Sequence, residues 1–104
     1  MEILIDYRNR GIRFTEERKK HIEQDHPEMV NQYDKIKDTL INPSLIVRSK
    51  TDSDVELFYK KYPKTPVTEK YLCLVIKSLI DDSFIITAYF TDTLKKGEII
   101  WEKK

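Results

Sequence analysis

Glycine and cysteine are scarce in this sequence of 104 residues, which contains two glycines and a single cysteine, Cys73. So little glycine excludes collagen-like chains, flexible linkers and the glycine-rich loops that cradle nucleotide phosphates. A lone cysteine forms no internal disulfide and is typical of a reducing compartment, so we expect a cytoplasmic protein. No window approaches about 18 uncharged apolar residues, and acids stand where a signal peptide needs a basic region, so neither a membrane span nor a targeting segment is predicted.

The balance of charge argues against a protein that binds polyanions over its whole surface. Charged residues make up 36% of the chain, but 19 basic residues offset 18 acidic ones and the formal net charge is +1. Without a global basic field, any polyanionic partner must be held by a local patch of cations. Apolar residues at 39% argue against disorder, and the length predicts a single domain over residues 1–104.

Hydrophobic periodicity predicts helices first and strands afterwards. After a short strand or hairpin within residues 2–14, Thr15 is a typical helix cap and predicts a first helix over Glu16–Asp25. A second helix ends at Asn42-Pro43, and from residue 44 the apolar period changes to two. The apolar stripe of that helix consists of Met29, Tyr33, Ile36 and Leu40. We therefore expect an α+β fold, with N-terminal helices packed on a four- to five-stranded antiparallel sheet.

The predicted strand over residues 84–91 has two unlike faces. One face carries Phe84, Ile86, Ala88 and Phe90. The other carries Ile85 and the hydroxyls of Thr87, Tyr89 and Thr91. Hydroxyl groups in a row offer hydrogen bonds to a ligand. Threonine and tyrosine are also favoured in any half-solvated strand, so a binding site and a plain solvated face both fit the pattern.

His21 and His26 are the only histidines, and therefore the candidates for proton transfer at neutral pH. Their spacing of five does not suit a shared metal on a helix, where about four residues place two ligands on one face. Neither a metal nor another cofactor is predicted. The structural alternative is a surface histidine or, for His26 before Pro27, a residue at the junction of two helices.

Two basic segments are candidates for binding a phosphate. The run Phe58-Tyr59-Lys60-Lys61-Tyr62 interleaves aromatic rings with lysines, a combination that stacks bases and holds phosphates but is also typical of a lysine-guarded edge strand. Lys95 and Lys96, before Gly97, form either a phosphate clamp or a solvated turn.

Several short motifs together resemble one family. They are Glu17-Arg18, His21-Ile22, His26-Pro27-Glu28, Asn42-Pro43, Phe58-Tyr59-Lys60, Thr87-Ala88-Tyr89-Phe90-Thr91, Lys96-Gly97 and Ile100-Trp101. In type and order they are similar to the phage-associated PBECR group of the BECR superfamily, which unites barnase-, EndoU-, colicin- and RelE-like ribonucleases. The similarity extends from about Phe14 to Trp101.

The resemblance implies a single BECR-like nuclease-type domain, acting as a toxin-like, metal-independent endoribonuclease that cleaves RNA through its own 2′-OH. It implies His21 as the acid/base with His26 second, strand hydroxyls at Thr87 and Tyr89, and a phosphate held by Arg48 or Lys96. Tyr59, Lys60 and Thr91 complete the candidate substrate-binding residues. RNA is the expected partner, with a protein inhibitor as a second. The alternative is a non-catalytic cytoplasmic module that binds RNA or protein with the same sheet face.

Overall fold

One sheet of seven strands organises the computed structural model, which describes residues 2–104. In chain order the elements are β1 (Glu2–Ile5), β2 (Gly11–Phe14), α1 (Glu16–Asp25), a 3-10 helix (Pro27–Met29), α2 (Tyr33–Ile41), β3 (Leu45–Ser49), β4 (Val55–Lys61), β5 (Tyr71–Ser78), β6 (Ser83–Thr91) and β7 (Gly97–Glu102). The strand order across the sheet is β1-β2-β6-β5-β4-β3-β7. All neighbouring strands are antiparallel except β2 and β6, which run parallel.

The predicted fold class is wrong. The sheet has seven strands instead of four or five, it is mixed instead of antiparallel, and a strand hairpin precedes the helices. The hairpin forms because Asn9 adopts the positive φ of 63° that its tight turn needs, a backbone conformation that asparagine tolerates. The second strand of the hairpin then joins the sheet through Arg13 beside Phe84, so the N-terminal segment extends the sheet.

A network of ion pairs holds the hairpin turn against the sheet. Arg10 lies 2.8 Å from Asp6 and 2.8 Å from Glu56 on β4, and it also donates to Ser78 Oγ at 2.6 Å. Arg8 reaches Glu56 at 3.2 Å. Two cations thus neutralise two buried carboxylates, and no buried side-chain polar atom in residues 2–104 lacks a partner. We assign this cluster a structural role, because removing one partner would leave a buried charge unpaired.

Both helices lie on one side of the sheet, which we call the helix-covered face. The Thr15 hydroxyl accepts a hydrogen bond from the Arg18 N–H at 3.1 Å and starts α1, and Pro27 limits the helix at its other end. On α2, Ile36, Thr39 and Leu40 are buried. The core of this face consists of Leu4, Ile12, Phe14, Ile22, Met29, Ile36, Leu40, Ile46, Phe58, Leu72, Leu74, Ile76, Ile85, Ala88 and Phe90.

The opposite side of the sheet, the open face, has no helix over it. Its centre is a smaller cluster of Val47, Leu57, Tyr59 and Cys73. Residues 92–96, the crossover segment, connect β6 to β7, which lie four positions apart in the sheet. The backbone N–H of Lys95 donates to the Tyr59 hydroxyl at 3.0 Å, so the crossover segment passes over the open face. The crossover segment therefore covers part of the open face, where no helix lies.

An irregularity in β6 decides which side chains reach the open face. The pairing with β5 shifts between Val75, opposite Thr87, and Ile76, opposite Ile85. The extra residue turns Ile85 into the helix-covered core, so the predicted placement of Ile85 with the hydroxyls is wrong. Beyond the shift the alternation is regular, and Ala88 and Phe90 enter the helix-covered core.

No helix within residues 2–104 combines the length and the apolar content that crossing a membrane requires.

Candidate functional site

A cavity of about 410 Å³ opens between the crossover segment and the β3–β4 turn, on the open face. Thr87 and Tyr89 line it from β6, as the sequence pattern suggested for a site. Lys95 and Lys96 line it from the crossover segment, and Lys50 lines it from the turn. The cavity therefore joins strand hydroxyls to three lysines, and Asp52, which also lines it, is paired with Lys77. Hydroxyls and ammonium groups together suit a phosphate ester.

Two phenols and a thiol are clustered beneath this cavity. The Cys73 thiol lies beside the hydroxyls of Tyr59 and Tyr89. Burial raises the pKa of Tyr59 to about 12, and it also raises the pKa of Tyr89 and of the Cys73 thiol above their ordinary values. All three groups are consequently protonated at neutral pH. Each of them can donate a hydrogen bond, and none of them is a base at neutral pH.

His26 is the histidine that lies against this cluster. Its ring lies against the ring of Tyr89, with centres 5.4 Å apart and planes inclined at 31°. The backbone N–H of His26 donates to the Ile22 carbonyl at 2.7 Å and ends α1, which fixes the residue beside β6. Nδ1 lies 3.8 Å from a Glu28 carboxylate oxygen, and the side chain is 35% exposed. An accessible imidazole thus stands next to a protonated phenol at the rim of the open face.

His21, the first choice of the sequence resemblance, does not reach this site. Its side chain is 55% exposed and lies 3.8 Å from Glu17, one turn earlier on the same helix. Ile22, the next residue, is the one buried side chain of α1. The structure therefore brings one of the two histidines to the hydroxyls.

Arg48 and Lys60 are also placed elsewhere. Side chains alternate along β3 and β4, so both residues lie on the opposite side from Val47 and Tyr59. Arg48 donates to Glu98 at 2.6 Å. Lys60 donates to the Asn42 carbonyl at 2.9 Å and lies 3.1 Å from Asp38. Neither cation joins the cavity.

The remaining three candidates belong to the open face, in different ways. Tyr59 is fully buried, and its hydroxyl holds the crossover segment through Lys95. Thr91 Oγ1 accepts a hydrogen bond from the Thr93 N–H at 3.0 Å, where the crossover segment leaves β6. Lys96 lines the cavity itself and is exposed. Tyr59 and Thr91 therefore shape the site, and Lys96 is free to meet a ligand.

Lys50 was missed by sequence reasoning, and Lys95 was left ambiguous. No ion pair within the described part of the chain engages Lys50, Lys95 or Lys96. In the sequence, the only sign of these cations was the pair of adjacent lysines at 95 and 96. Nothing in the neighbouring sequence shows that this segment crosses the sheet toward the β3–β4 turn.

In the part of the chain that the structure describes, no three His, Cys, Asp or Glu side chains gather at one point. Comparison with known protein families, with curated proteins and with solved structures finds no match.

Proposed function

We propose that this protein is a metal-independent endoribonuclease whose substrate lies on the open face. The observation that carries the proposal is the position of His26 against Tyr89, a residue that shares its cavity with Thr87, Lys95 and Lys96. His26 lies beside this cavity and not in its lining, and Tyr89 is the residue that joins the imidazole to the side that carries the lysines. A base, hydroxyl donors and cations on one face are what cleavage of a phosphodiester needs. The motif resemblance to the PBECR group supports the same chemistry.

The proposed reaction uses the RNA's own 2′-OH as nucleophile. Neutral His26 accepts the 2′-OH proton while the 2′ oxygen bonds to phosphorus and the bond from phosphorus to the 5′ oxygen breaks. Tyr89, whose pKa burial raises further above neutral pH, gives its proton to the departing 5′ oxygen, which is a far stronger base than a phenolate. The proton held by His26 then passes through water to the Tyr89 phenolate, which restores both groups. The products are a 2′,3′-cyclic phosphate and a 5′-hydroxyl.

The lysines stabilise the charge that develops on the phosphoryl oxygens. One preorganised donor contributes about 10²- to 10³-fold in rate, and one acid or base about 10²- to 10⁴-fold. The hydrogen bond from the Lys95 N–H to the Tyr59 hydroxyl holds Lys95 and Lys96 over the cavity. Because folding already fixes this part of the backbone, substrate binding loses less conformational entropy.

The decisive experiment incubates the purified protein with single-stranded RNA in EDTA and identifies the product ends. We expect 2′,3′-cyclic phosphates, and no cleavage where the target nucleotide is 2′-deoxy. His26→Ala should abolish cleavage, and His21→Ala is the matched control on the same helix, which should cleave like the parent. Cleavage by His26→Ala at the parent rate would overturn the proposal. RNA that binds but is not cut would also overturn it, in favour of the non-catalytic binding module.

We extend the proposal to a toxin-like role in the cytoplasm, restrained by a protein inhibitor that covers the open face. The support is the free, buried Cys73 and the unpaired lysines of the cavity, which an acidic protein surface would complement. Intracellular expression of the parent should therefore arrest growth of a host lacking the inhibitor, while His26→Ala should not. Equal growth of the two strains at equal protein levels would contradict this role.

A further inference from the structure

A cavity of about 300 Å³ lies between the two helices, and we call it the interhelix cavity. Helix α1 packs on β6 and on the 3-10 helix, whereas α2 packs on β5, β1 and β4, so the two helices lie over different strands. The connection between them contains Asn31, which adopts a positive φ of 65°. Protein interiors are otherwise close-packed, and a hollow of this size between helices falls within the range of small-molecule sites.

Four apolar side chains form the floor of the interhelix cavity. They are Phe14 from β2, Ile22 from α1, Met29 from the 3-10 helix and Ile36 from α2. Each is at most 4% exposed, because the rest of its surface is packed in the core of the helix-covered face. An apolar group that enters the cavity therefore leaves water for an apolar surface, which is favourable.

Polar side chains form the rim, and three of them have no partner. Lys19 and Glu23 come from α1, and Asn31 comes from the connection to α2. No hydrogen bond or ion pair within residues 2–104 engages these three side chains. Lys19 and Glu23 are nevertheless half-buried. An ammonium, a carboxylate and an amide are thus available around the apolar floor.

The two charges on α1 are neighbours by spacing but do not contact each other. Residues four apart share one face of a helix, and Lys19 and Glu23 both line the cavity. Their order, with the lysine first, is the less favourable one for an ion pair. The Lys19 ammonium instead lies 5.8 Å from the centre of the Tyr33 ring, which lines the cavity from α2. The cation is therefore directed toward α2 and leaves the Glu23 carboxylate unpaired.

The other two polar residues at the rim are already engaged. The Tyr33 hydroxyl donates a hydrogen bond to Glu2, and the Asp34 carboxylate lies 3.7 Å from the Lys37 ammonium. The unpaired charges at the interhelix cavity are therefore one cation and one anion, Lys19 and Glu23.

We propose that the interhelix cavity binds a free α-amino acid with a large apolar side chain. Such a molecule carries an ammonium and a carboxylate on one carbon atom beside an apolar group, which matches Glu23, Lys19 and the floor. The Asn31 amide offers a donor and an acceptor to the same two groups. An amine without a carboxylate leaves Lys19 unpaired, and a carboxylic acid without an amine leaves Glu23 unpaired.

The size of the interhelix cavity favours a small molecule over a segment of a partner protein. A helix or a strand docks through several anchors spaced along a groove. The cavity of about 300 Å³ is a single hollow at the lower end of the range for small ligands, which is about 300 to 1,000 Å³.

Titration of the purified protein with L-phenylalanine and with L-leucine, followed by NMR without RNA, tests the proposal. We expect saturable shifts of the Met29 and Ile36 methyl signals with a Kd of about 1 mM or less, and no shifts at Thr87 or Tyr89. No saturation by either amino acid up to about 20 mM would overturn the proposal. Shifts confined to Thr87 and Tyr89 would overturn it as well, because they place the ligand on the open face.

Blocked forms of the tighter-binding amino acid test the role of each charge. The N-acetyl derivative lacks the ammonium and the amide lacks the carboxylate, so each should bind more weakly by about tenfold or more. Glycine, which has both charges and no apolar side chain, should not saturate the protein. A blocked form that binds as tightly as the free amino acid would contradict the proposal, since the cavity would then take a different class of ligand.

Variants of α1 supply the matched comparison. Lys19→Gln and Glu23→Gln should each weaken binding by about tenfold or more, because each removes one charge from the rim. Lys20→Gln is the control, since Lys20 is exposed on the same helix and does not line the cavity. Equal losses in Lys19→Gln and Lys20→Gln would exclude the assigned head-group contacts. The interhelix cavity shares no residue with the cavity beside Tyr89, so amino-acid binding and RNA cleavage test the two proposals separately.

Discussion

The imidazole ring of His26 packs against the phenol ring of Tyr89 in a tilted arrangement, with ring centres 5.4 Å apart. This contact links the end of α1 to the open face of the sheet. His21 lies five residues earlier, and five residues of α-helix rotate a side chain by about 140°, so the two histidines cannot serve one site. His26 is the one that faces β6, because α1 ends at this residue and the chain turns at Pro27.

Removal of the Tyr89 hydroxyl should slow RNA cleavage with little effect on the fold. Tyr89→Phe keeps the ring beside His26 but removes the proton donor, so we expect the single-turnover rate to fall by about 10²- to 10³-fold. Tyr71→Phe is the matched control, since Tyr71 is also half-buried on the open face and packs edge-on against Tyr59. Equal rates in Tyr89→Phe and the parent would remove Tyr89 from the mechanism.

The salt dependence of RNA binding should report a small number of phosphate contacts. Lys50, Lys95 and Lys96 are the cations at the cavity, so log K should fall against log salt concentration with a slope of about −2, at about −0.7 for each phosphate. Lys96→Gln should make the slope shallower by about 0.7. Lys37→Gln, on α2, should leave it unchanged. Titrations of fluorescent RNA at several salt concentrations measure the slopes, and identical slopes for parent and Lys96→Gln would contradict the assignment.

Local elements were predictable where the signal lies within a few residues. The bounds of α1 follow from Thr15 as a cap and from Pro27 beyond the helix, and the structure confirms a helix over Glu16–Asp25. The hydroxyls of Thr87 and Tyr89 share one cavity because alternation is regular over that part of β6.

The arrangement of the sheet was not predictable in the same way. The parallel pairing of β2 with β6 joins Arg13 to Phe84, far apart in the sequence, and no local pattern encodes it. The crossover segment brings its lysines to the cavity only because β7 lies beyond β3, four positions from β6. Lys60 is a different case, since alternation with Tyr59 already implies that the two side chains leave opposite faces.

The buried Tyr59 phenol should make stability depend on alkaline pH. Burial raises its pKa in the folded state to about 12, against an ordinary value of 10.0, so the folded state binds more protons than the unfolded state between these values. The contribution of Tyr59 is therefore complete below pH 10 and is lost as the pH rises toward about 12. Urea unfolding at a series of pH values measures the loss.

Tyr59→Phe is the informative variant for this dependence. It should lower the free energy of unfolding at pH 7 by about 1 to 2 kcal/mol, because the Lys95 N–H loses its acceptor. It should also flatten the decline above pH 10. A variant whose decline is as steep as that of the parent would show that other groups cause the alkaline effect.

Two adjacent residues at the end of α2 should differ sharply in their contribution to stability. Leu40 is 0% exposed within the core of the helix-covered face, whereas its neighbour Ile41 is 57% exposed. Leu40→Ala should lower the free energy of unfolding by about 2 to 5 kcal/mol, since it leaves a cavity that the sheet cannot fill. Ile41→Ala should change it by no more than about 0.5 kcal/mol. Urea midpoints at neutral pH provide the comparison. Both substitutions put alanine at the same end of one helix, so a difference in midpoint between the two variants does not come from the helix propensity of the new residue. Equal urea midpoints for the two variants would mean that α2 does not pack Leu40 into the core.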